Sequence, residues 1–358
     1  MKKILFSALV LLASQAWASG DTTQSKLTIS GYVDIYYVYD FGNPTNHERP
    51  SFIYNHKRTN EFNLNLGYLK AGYASERIRA NLALMAGTYA QYNLASEQGL
   101  LKNVYEANAG IKLSKKHQLW LDAGIFASHI GFESAVSKDC WTLTRSIMAE
   151  NSPYYESGAK LTYTSDNEKW IFSGLILNGW QRIQRVNGNN TPAFGTQVVF
   201  KPTSGITINS STFIGSDDAD SVRQMRYFHN YYGIFQISSK WGVITGFDIG
   251  AQQIQKGSDQ YYVWYSPVLI SKYSVTEKIS LAGRVEYYSD PKGVIIQTNT
   301  PNGFQTFGCS VNLDYSPVKN VLIRLEGKMY SNKDKVFTRG SDQIDQNYSM
   351  ASSIAVSF

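Results

Sequence analysis

Apolar and polar side chains alternate along most of the chain from residue 27 onward. Period-two alternation is typical of β-strands that present two different faces to their surroundings. About sixteen such runs can be counted, among them 27–40, 61–74, 78–92 and 319–332. The pattern therefore predicts an all-β chain whose strands are each apolar on one face and polar on the other.

The connections between these runs alternate between short and long. The short ones are 75–77, 115–117, 166–168, 202–204, 240–241, 274–276 and 317–318. The longer ones include 41–60, 93–103, 128–155, 181–191, 290–302 and 333–344. Tight turns on one side and long loops on the other are typical of outer-membrane barrels. We therefore expect a transmembrane antiparallel up-and-down β-barrel of about sixteen strands, closed because a spanning sheet cannot leave backbone groups unpaired in lipid.

The last run ends with alternating apolar residues at Ile354, Val356 and the terminal Phe358. A terminal aromatic residue in this position resembles the signal that barrel-assembly machinery recognises. Aromatic pairs near the strand ends, such as Tyr36-Tyr37 and Tyr261-Tyr262, fit the girdles that meet the lipid–water interfaces. The expected partners are therefore the barrel-assembly machinery, through Phe358, and outer-membrane lipid.

The first eighteen residues have the order of a secretory signal peptide. Lys2 and Lys3 precede the apolar run 4–13, and Ala16-Trp17-Ala18 supplies a small-residue cleavage pattern. We expect residues 1–18 to be removed and residues 19–358 to form the barrel in the outer membrane of a Gram-negative bacterium. Removal of the two lysines lowers the formal charge by two, from +6 to +4.

The composition agrees with a barrel and gives no support for a nucleic-acid-binding protein. A hydrophobic fraction of 43% is ordinary for a chain in which half of every strand faces water. The mild positive charge is scattered, so it gives no support for nucleic-acid binding. Cys140 and Cys309 could form one disulfide or remain two free thiols, and the sequence leaves both open.

A barrel of this size encloses water, and the polar faces carry ionisable groups. The mid-strand candidates for the pore lining are Asp34, Asp122, Lys160, Asp248, Arg284 and Glu286. Charges at this depth must meet water or one another. They either form a selective field or are mutually paired without a role in selection, and their mixed signs predict weak selectivity for ion charge.

The connection 128–155 is the longest, and it is the third long loop. It combines the apolar anchors Ile130, Phe132, Trp141 and Ile147 with charges between them. In sixteen-stranded general porins this loop folds inward and narrows the channel. The expected constriction residues are Glu133, Lys138, Asp139, Arg145 and Glu150. The alternative is an outer lid packed over the mouth of the barrel.

Signals for catalysis are scarce, and we do not expect an enzyme. The five histidines are not grouped with cysteines or carboxylates at metal-ligand spacing, so no metal or cofactor is expected. One arrangement keeps a lipid hydrolase open: His229 falls on the lipid-facing side of its run, near Ser210 or Thr212 of the preceding one. A structural or adhesive barrel with a closed lumen is a further alternative.

Several segments resemble the OmpL-like outer-membrane β-barrel porins. These segments are 79–84, 122–126, 129–134, 141–146 and 150–158. The resemblance spans nearly the whole mature chain and is strongest over residues 60–165. It implies a barrel fold and a pore function, and it brings no particular solute with it. Together with the water-filled lumen, this predicts a porin for passive diffusion of small polar solutes or ions. General porins of this size are often trimers, so the analogy suggests a homo-trimer.

Overall fold

The computed structural model describes residues 26–358, so the expected signal peptide, residues 1–18, lies outside the described residues. Within this range, sixteen strands form one closed antiparallel barrel. The first strand pairs with the last from Tyr32 opposite Ser357 to Asp40 opposite Ser349, which closes the sheet. The predicted fold class, an all-β barrel of sixteen strands, is confirmed.

The strands follow the chain in an up-and-down order. The first nine are β1 Lys26–Asp40, β2 Phe62–Ala74, β3 Ile78–Ala86, β4 Val104–Lys112, β5 Gln118–Ala127, β6 Tyr155–Thr164, β7 Trp170–Leu177, β8 Ala193–Thr203 and β9 Ile206–Gly215. The others are β10 Arg226–Gln236, β11 Trp241–Gln253, β12 Tyr261–Ser274, β13 Ile279–Asp290, β14 Phe304–Tyr315, β15 Val321–Asn332, β16 Phe337–Arg339, β17 Asp342–Ile344 and β18 Gln346–Ser357. Strands β16 and β17 form a separate small hairpin, so the barrel joins β15 directly to β18.

The two faces of each strand have different surroundings, as the alternation predicts. In β1, Tyr32, Asp34 and Tyr36 are buried inside the barrel, whereas Ile35 between them is exposed on the outer wall. The same order holds in β15, where Arg324 and Glu326 point inward and Ile323 and Leu325 outward. This arrangement is that of a barrel that crosses a membrane with each strand and turns apolar side chains toward lipid.

The short connections and the long connections lie at opposite ends of the barrel. Turns of two to five residues join β2–β3, β4–β5, β6–β7, β8–β9, β10–β11, β12–β13 and β14–β15. The longer connections lie at the opposite end, and β16–β17 belong to the last of them. We call these the short-turn end and the long-loop end.

One predicted run is shorter than its alternation suggested. The run 78–92 is a strand only to Ala86, and the helix Thr88–Asn93 follows. Gly87 ends the strand because its φ of 123° is unfavourable for residues with a side chain, and a Cβ there would lie 2.4 Å from the Asn65 carbonyl oxygen. Among residues 26–358, no helix is long and apolar enough to cross a membrane.

Candidate functional site: a loop inside the lumen

The connection between β5 and β6, residues 128–154, runs inside the barrel. Its backbone donates hydrogen bonds to inward-facing side chains on the opposite wall. The Leu143 amide donates to Asn312 Oδ1 at 3.0 Å, and the Thr144 amide to Glu326 Oε2 at 2.5 Å. We call residues 128–154 the inner loop.

Apolar side chains hold the inner loop against the wall formed by β11 and β12. Phe132, Trp141 and Met148 pack against a small buried cluster of inward-facing residues, namely Ile244, Val268 and Ile270. Gly246 makes this approach possible, since a Cβ there would lie 2.8 Å from the Phe132 ring and 2.9 Å from the Met148 methyl group. The apolar anchors of the sequence pattern therefore dock the loop on the lumen wall.

Arg284 of β13 is the centre of the polar contacts beneath the loop. It is fully buried and donates to Thr142 Oγ1 and the Thr144 carbonyl oxygen, both at 2.7 Å. The same guanidinium lies 3.0 Å from Glu326, 3.4 Å from Glu286 and 3.5 Å from Glu133. A buried guanidinium with three carboxylates and the loop backbone fixes the loop at one place on the wall.

Two further cations of β15 bind the loop backbone. Arg324 pairs with Asp314 at 2.7 Å and donates to the carbonyl oxygens of Ser137, at 2.6 Å, and Cys140, at 3.1 Å. Lys328 donates to the Arg145 carbonyl oxygen at 2.8 Å. Arg324 and Lys328 are not among the mid-strand candidates of the sequence pattern, yet both contact the centre of the loop. Only the path of the loop reveals this role.

The five candidate constriction residues divide into two groups. Glu133, Arg145 and Glu150 are buried, and their polar atoms are used within the loop or against neighbouring chain segments. Arg145 donates to the carbonyl oxygens of Ser134, Ala135 and Leu143, at 2.6–3.1 Å. Burial raises the pKa of Glu133 above its usual range, although Arg284 acts in the opposite direction. Lys138 is half-buried, and Asp139 is exposed. Of the five residues, only these two face accessible space.

The first long connection, residues 41–61, also folds inward, which the sequence did not predict. The amides of Tyr54 and Asn55 donate to Glu150 Oε2 of the inner loop at 2.8 and 3.0 Å. His56 Nε2 lies 3.1 Å from Asp34 of β1, and both side chains are fully buried. The apolar run Phe52-Ile53-Tyr54 inside this connection was the available signal.

The six candidate pore-lining residues all point into the barrel, but most have no access to water. Arg284 and Glu286 lie beneath the inner loop, and Asp34 lies beneath His56. Asp248 accepts a hydrogen bond from Asn230, whose amide oxygen accepts from the Gly131 amide of the loop at 3.0 Å. These four residues support loops rather than line open space.

Asp122 and Lys160 lie on the other side of the barrel, where Lys160 is half-buried and Asp122 is buried. Arg79 binds Asp122 through two hydrogen bonds and is 37% exposed. Lys70 pairs with Glu106 at 2.5 Å, with exposures of 30% and 16%. We call this wall, from β2 to β6, the polar strip. The inner loop therefore covers the wall from β9 to β18 and leaves side chains of the polar strip partly exposed.

The beginning of the inner loop is held by His129. Its Nδ1 lies 2.9 Å from the Glu156 carboxylate, and its Nε2 lies 2.8 Å from the Thr212 carbonyl oxygen. Because both ring nitrogens face acceptors, the imidazole can donate to both acceptors only when both ring nitrogens carry a proton. Burial lowers the pKa of His129, but the Glu156 carboxylate and the two hydrogen bonds raise it by more, so the pKa lies above its usual value.

The pair considered for lipid hydrolysis forms on the outer wall. Ser210 Oγ lies 2.8 Å from His229 Nε2. Among the described residues, no carboxylate contacts the other ring nitrogen of His229. No cluster of three or more potential metal ligands occurs in residues 26–358 either. Both cysteines are free: Cys140 lies in the inner loop and Cys309 on the outer face of β14, so the wall separates them.

Comparison with known proteins places this geometry among porins. Residues 26–358 match the model of the family described as "Putative beta-barrel porin-2, OmpL-like". No curated protein matches the chain. The anion-selective porin from Comamonas acidovorans is similar in structure, with a TM-score of 0.61, 10% identity and coverage of 94% of this chain and 100% of that one. The outer membrane channel DcaP of Acinetobacter baumannii gives a TM-score of 0.59 at 10% identity, covering 95% and 100%. A trimer form of OmpT, an outer membrane protein of Vibrio cholerae, gives 0.59 at 7% identity, covering 93% and 99%.

Proposed function

The chain belongs to the OmpL-like β-barrel porin family, and from this premise we propose that it forms a passive channel for small polar solutes, narrowed by the inner loop. The observation that carries the proposal is the one-sided docking of that loop. It covers the wall from β9 to β18 and leaves the partly exposed side chains of the polar strip opposite. Water and small solutes would pass along this strip, beside Lys70, Arg79 and Lys160.

The charges along the strip favour weak selectivity. Lys70, Arg79 and Lys160 face Glu106 and Asp122, so the two signs largely offset each other along the path. Lys138 and Asp139 of the loop add one charge of each sign. A channel with such a lining passes neutral solutes, cations and anions, and it excludes solutes mainly by their size.

Deletion of residues 133–148 tests the narrowing by the loop. The deletion removes the segment that Arg284 and Arg324 hold inside the barrel, so we expect single-channel conductance in planar bilayers to rise severalfold. A control deletes 338–343, the exposed tip of the last long connection; like 133–148, this segment has no net charge, since it carries Arg339 and Asp342. Equal conductance of the folded deletion protein and the intact protein would refute the proposed narrowing.

A second candidate is a barrel whose lumen is closed by its own loops. The observation in its favour is the burial of nearly every residue between 140 and 155. The two candidates differ in one measurement, because a closed barrel gives no conductance steps and no uptake of sugars into liposomes. In that case the protein would act through its outer loops, as a structural or adhesive barrel.

The partners of the channel also belong to the proposal. We propose a homo-trimer, because a similar barrel is described as a trimer. We also propose that Phe358 engages the barrel-assembly machinery before closure, since its ring is 67% exposed on the outer wall beside Gly31. The signal peptide over residues 1–18 would deliver the chain to the periplasm of a Gram-negative cell.

A further inference from the structure

A cavity of about 180 Å³ lies between the inner loop and the walls of β3 and β4, near the long-loop end. Five of its seventeen lining residues are aromatic: Tyr89, Tyr105, Phe132, Tyr154 and Tyr155. By the volume of water in the liquid, the space holds roughly six water molecules, which is about the size of one monosaccharide ring. Glu106, which also belongs to the polar strip, forms one edge of the cavity.

The aromatic rings of this cavity are fixed by contacts with each other. Tyr105 stacks on Tyr68 of β2, with 5.0 Å between ring centroids and an angle of 5°. Tyr89 meets Tyr105 and Tyr154 edge-on, at 6.4 and 5.8 Å. Rings held in this way keep a constant apolar surface, so a ligand does not have to order them on binding.

Two hydroxyls of the cavity have no partner within the described chain. Tyr89 is 1% exposed, yet its hydroxyl makes no hydrogen bond to the protein, and neither does that of Tyr105. By contrast, the hydroxyl of Tyr155 donates to Glu97 at 3.0 Å, and that of Tyr154 accepts from Asn55 at 3.1 Å. A tyrosine hydroxyl both donates and accepts, so each of these two can bond to water or to a ligand in the cavity.

The charges at the cavity are already neutralised. Glu106 pairs with Lys70 at 2.5 Å, and Glu133 is bound by Arg284 and Ser146. The site therefore offers aromatic faces and hydroxyls that both donate and accept, without a free charge. A ligand that matches it is neutral, has an apolar ring face and carries hydroxyls at its edge. This is the chemistry of a pyranose sugar.

We propose that this cavity is a saccharide-binding site on the path through the barrel, with Tyr105 as the stacking surface and Tyr89 as a hydrogen-bonding partner. The proposal rests on the channel function proposed above and names a solute class for it. A sugar bound here would block the narrow space beside Glu106 while it stays.

The test compares D-glucose with sorbitol, which carries similar hydroxyls on an open chain and has no ring face. In planar bilayers, we expect glucose to reduce the ion current with a saturable dose dependence, whereas sorbitol gives only the linear effect of viscosity. Tyr89→Phe should raise the half-saturating glucose concentration about fivefold, which corresponds to the loss of the binding free energy of one hydrogen bond. Tyr105→Ala should raise it more than tenfold. Tyr231→Phe, on the lipid-facing wall, is the matched control and should leave it unchanged.

Two outcomes would overturn the site. One is an equal, linear effect of glucose and sorbitol on the intact channel. The other is an unchanged half-saturating concentration in folded Tyr105→Ala protein. If the intact protein conducts no current, the proposed channel fails, and glucose titration into detergent-solubilised protein by calorimetry tests the cavity separately. Saturable heat that Tyr105→Ala abolishes would support the site, and no heat with the intact protein would refute it.

Discussion

Replacement of Arg284 by methionine would test the attachment of the inner loop most directly. The methionine side chain is similar in length, so the change removes the charge and the donors more than the volume. It removes the guanidinium donors from Thr142 and Thr144 and leaves Glu133, Glu286 and Glu326 beneath the loop. Among residues 26–358, Lys328, 3.1 Å from Glu286, is then the remaining cation in contact with these carboxylates.

The size of the effect follows from the burial of this group. Removal of one partner from a fully buried ion pair costs about 3–5 kcal/mol, since the other charge stays without compensation. Part of this cost falls away if Glu133, whose pKa is already raised by burial, takes up a proton. At about 1.4 kcal/mol per tenfold change, even 3 kcal/mol lowers the ratio of docked to released loop by more than about a hundredfold.

The free thiol of Cys140 reports on release of the loop. It is 5% exposed in the docked state, and Cys309→Ser removes the other thiol. In this background, we expect Arg284→Met to accelerate maleimide labelling of Cys140 by at least tenfold and to raise single-channel conductance. Arg223→Met, in a connection at the long-loop end, is the control for loss of one charge. Unchanged labelling and conductance in folded Arg284→Met protein would refute the view that Arg284 holds the loop.

Two further predictions concern titration and ion preference. His129 faces Glu156 and the Thr212 carbonyl oxygen, so its stabilisation of the docked loop is complete below its usual pKa and is lost as the pH rises through the raised value. Conductance of the intact protein should therefore increase as the pH rises beyond the usual titration range of histidine, and His129→Gln should remove this pH dependence. Arg79→Glu on the polar strip should shift the reversal potential in a salt gradient toward cation preference, whereas Arg223→Glu should not.

Much of the fold follows from local sequence patterns, which is why it could be predicted. Alternation fixes which face of a strand meets lipid, and the length of a connection fixes the end of the barrel at which it lies. Both signals are contained in short windows of sequence. The error at 78–92 also has a local cause, because Gly87 interrupts the run and its positive φ ends the strand.

The site could be predicted only in part, because it depends on where two loops lie in space. The apolar anchors Phe132 and Trp141 indicated that residues 128–155 have a docking surface, and the inner loop does pack on the lumen wall. The sequence of the loop itself does not indicate which part of the wall it contacts. Arg284 and Glu326 lie more than a hundred residues away, and nothing in their own strands distinguishes them from other inward charges.

The inward charges of the barrel are of two kinds, those buried between loop and wall and those that stay partly exposed. A charge that is fully buried between loop and wall, such as Glu286, is matched by neighbouring groups and adds little field where water remains. A charge with partial exposure, such as Arg79 or Lys70, acts on ions in the open space. The number of inward charges counted from the sequence is therefore larger than the number of charges that can act on ions in the lumen. In the proposed channel, the inner loop would therefore act twice, since it occupies part of the lumen and also covers inward charges such as Arg284 and Glu286.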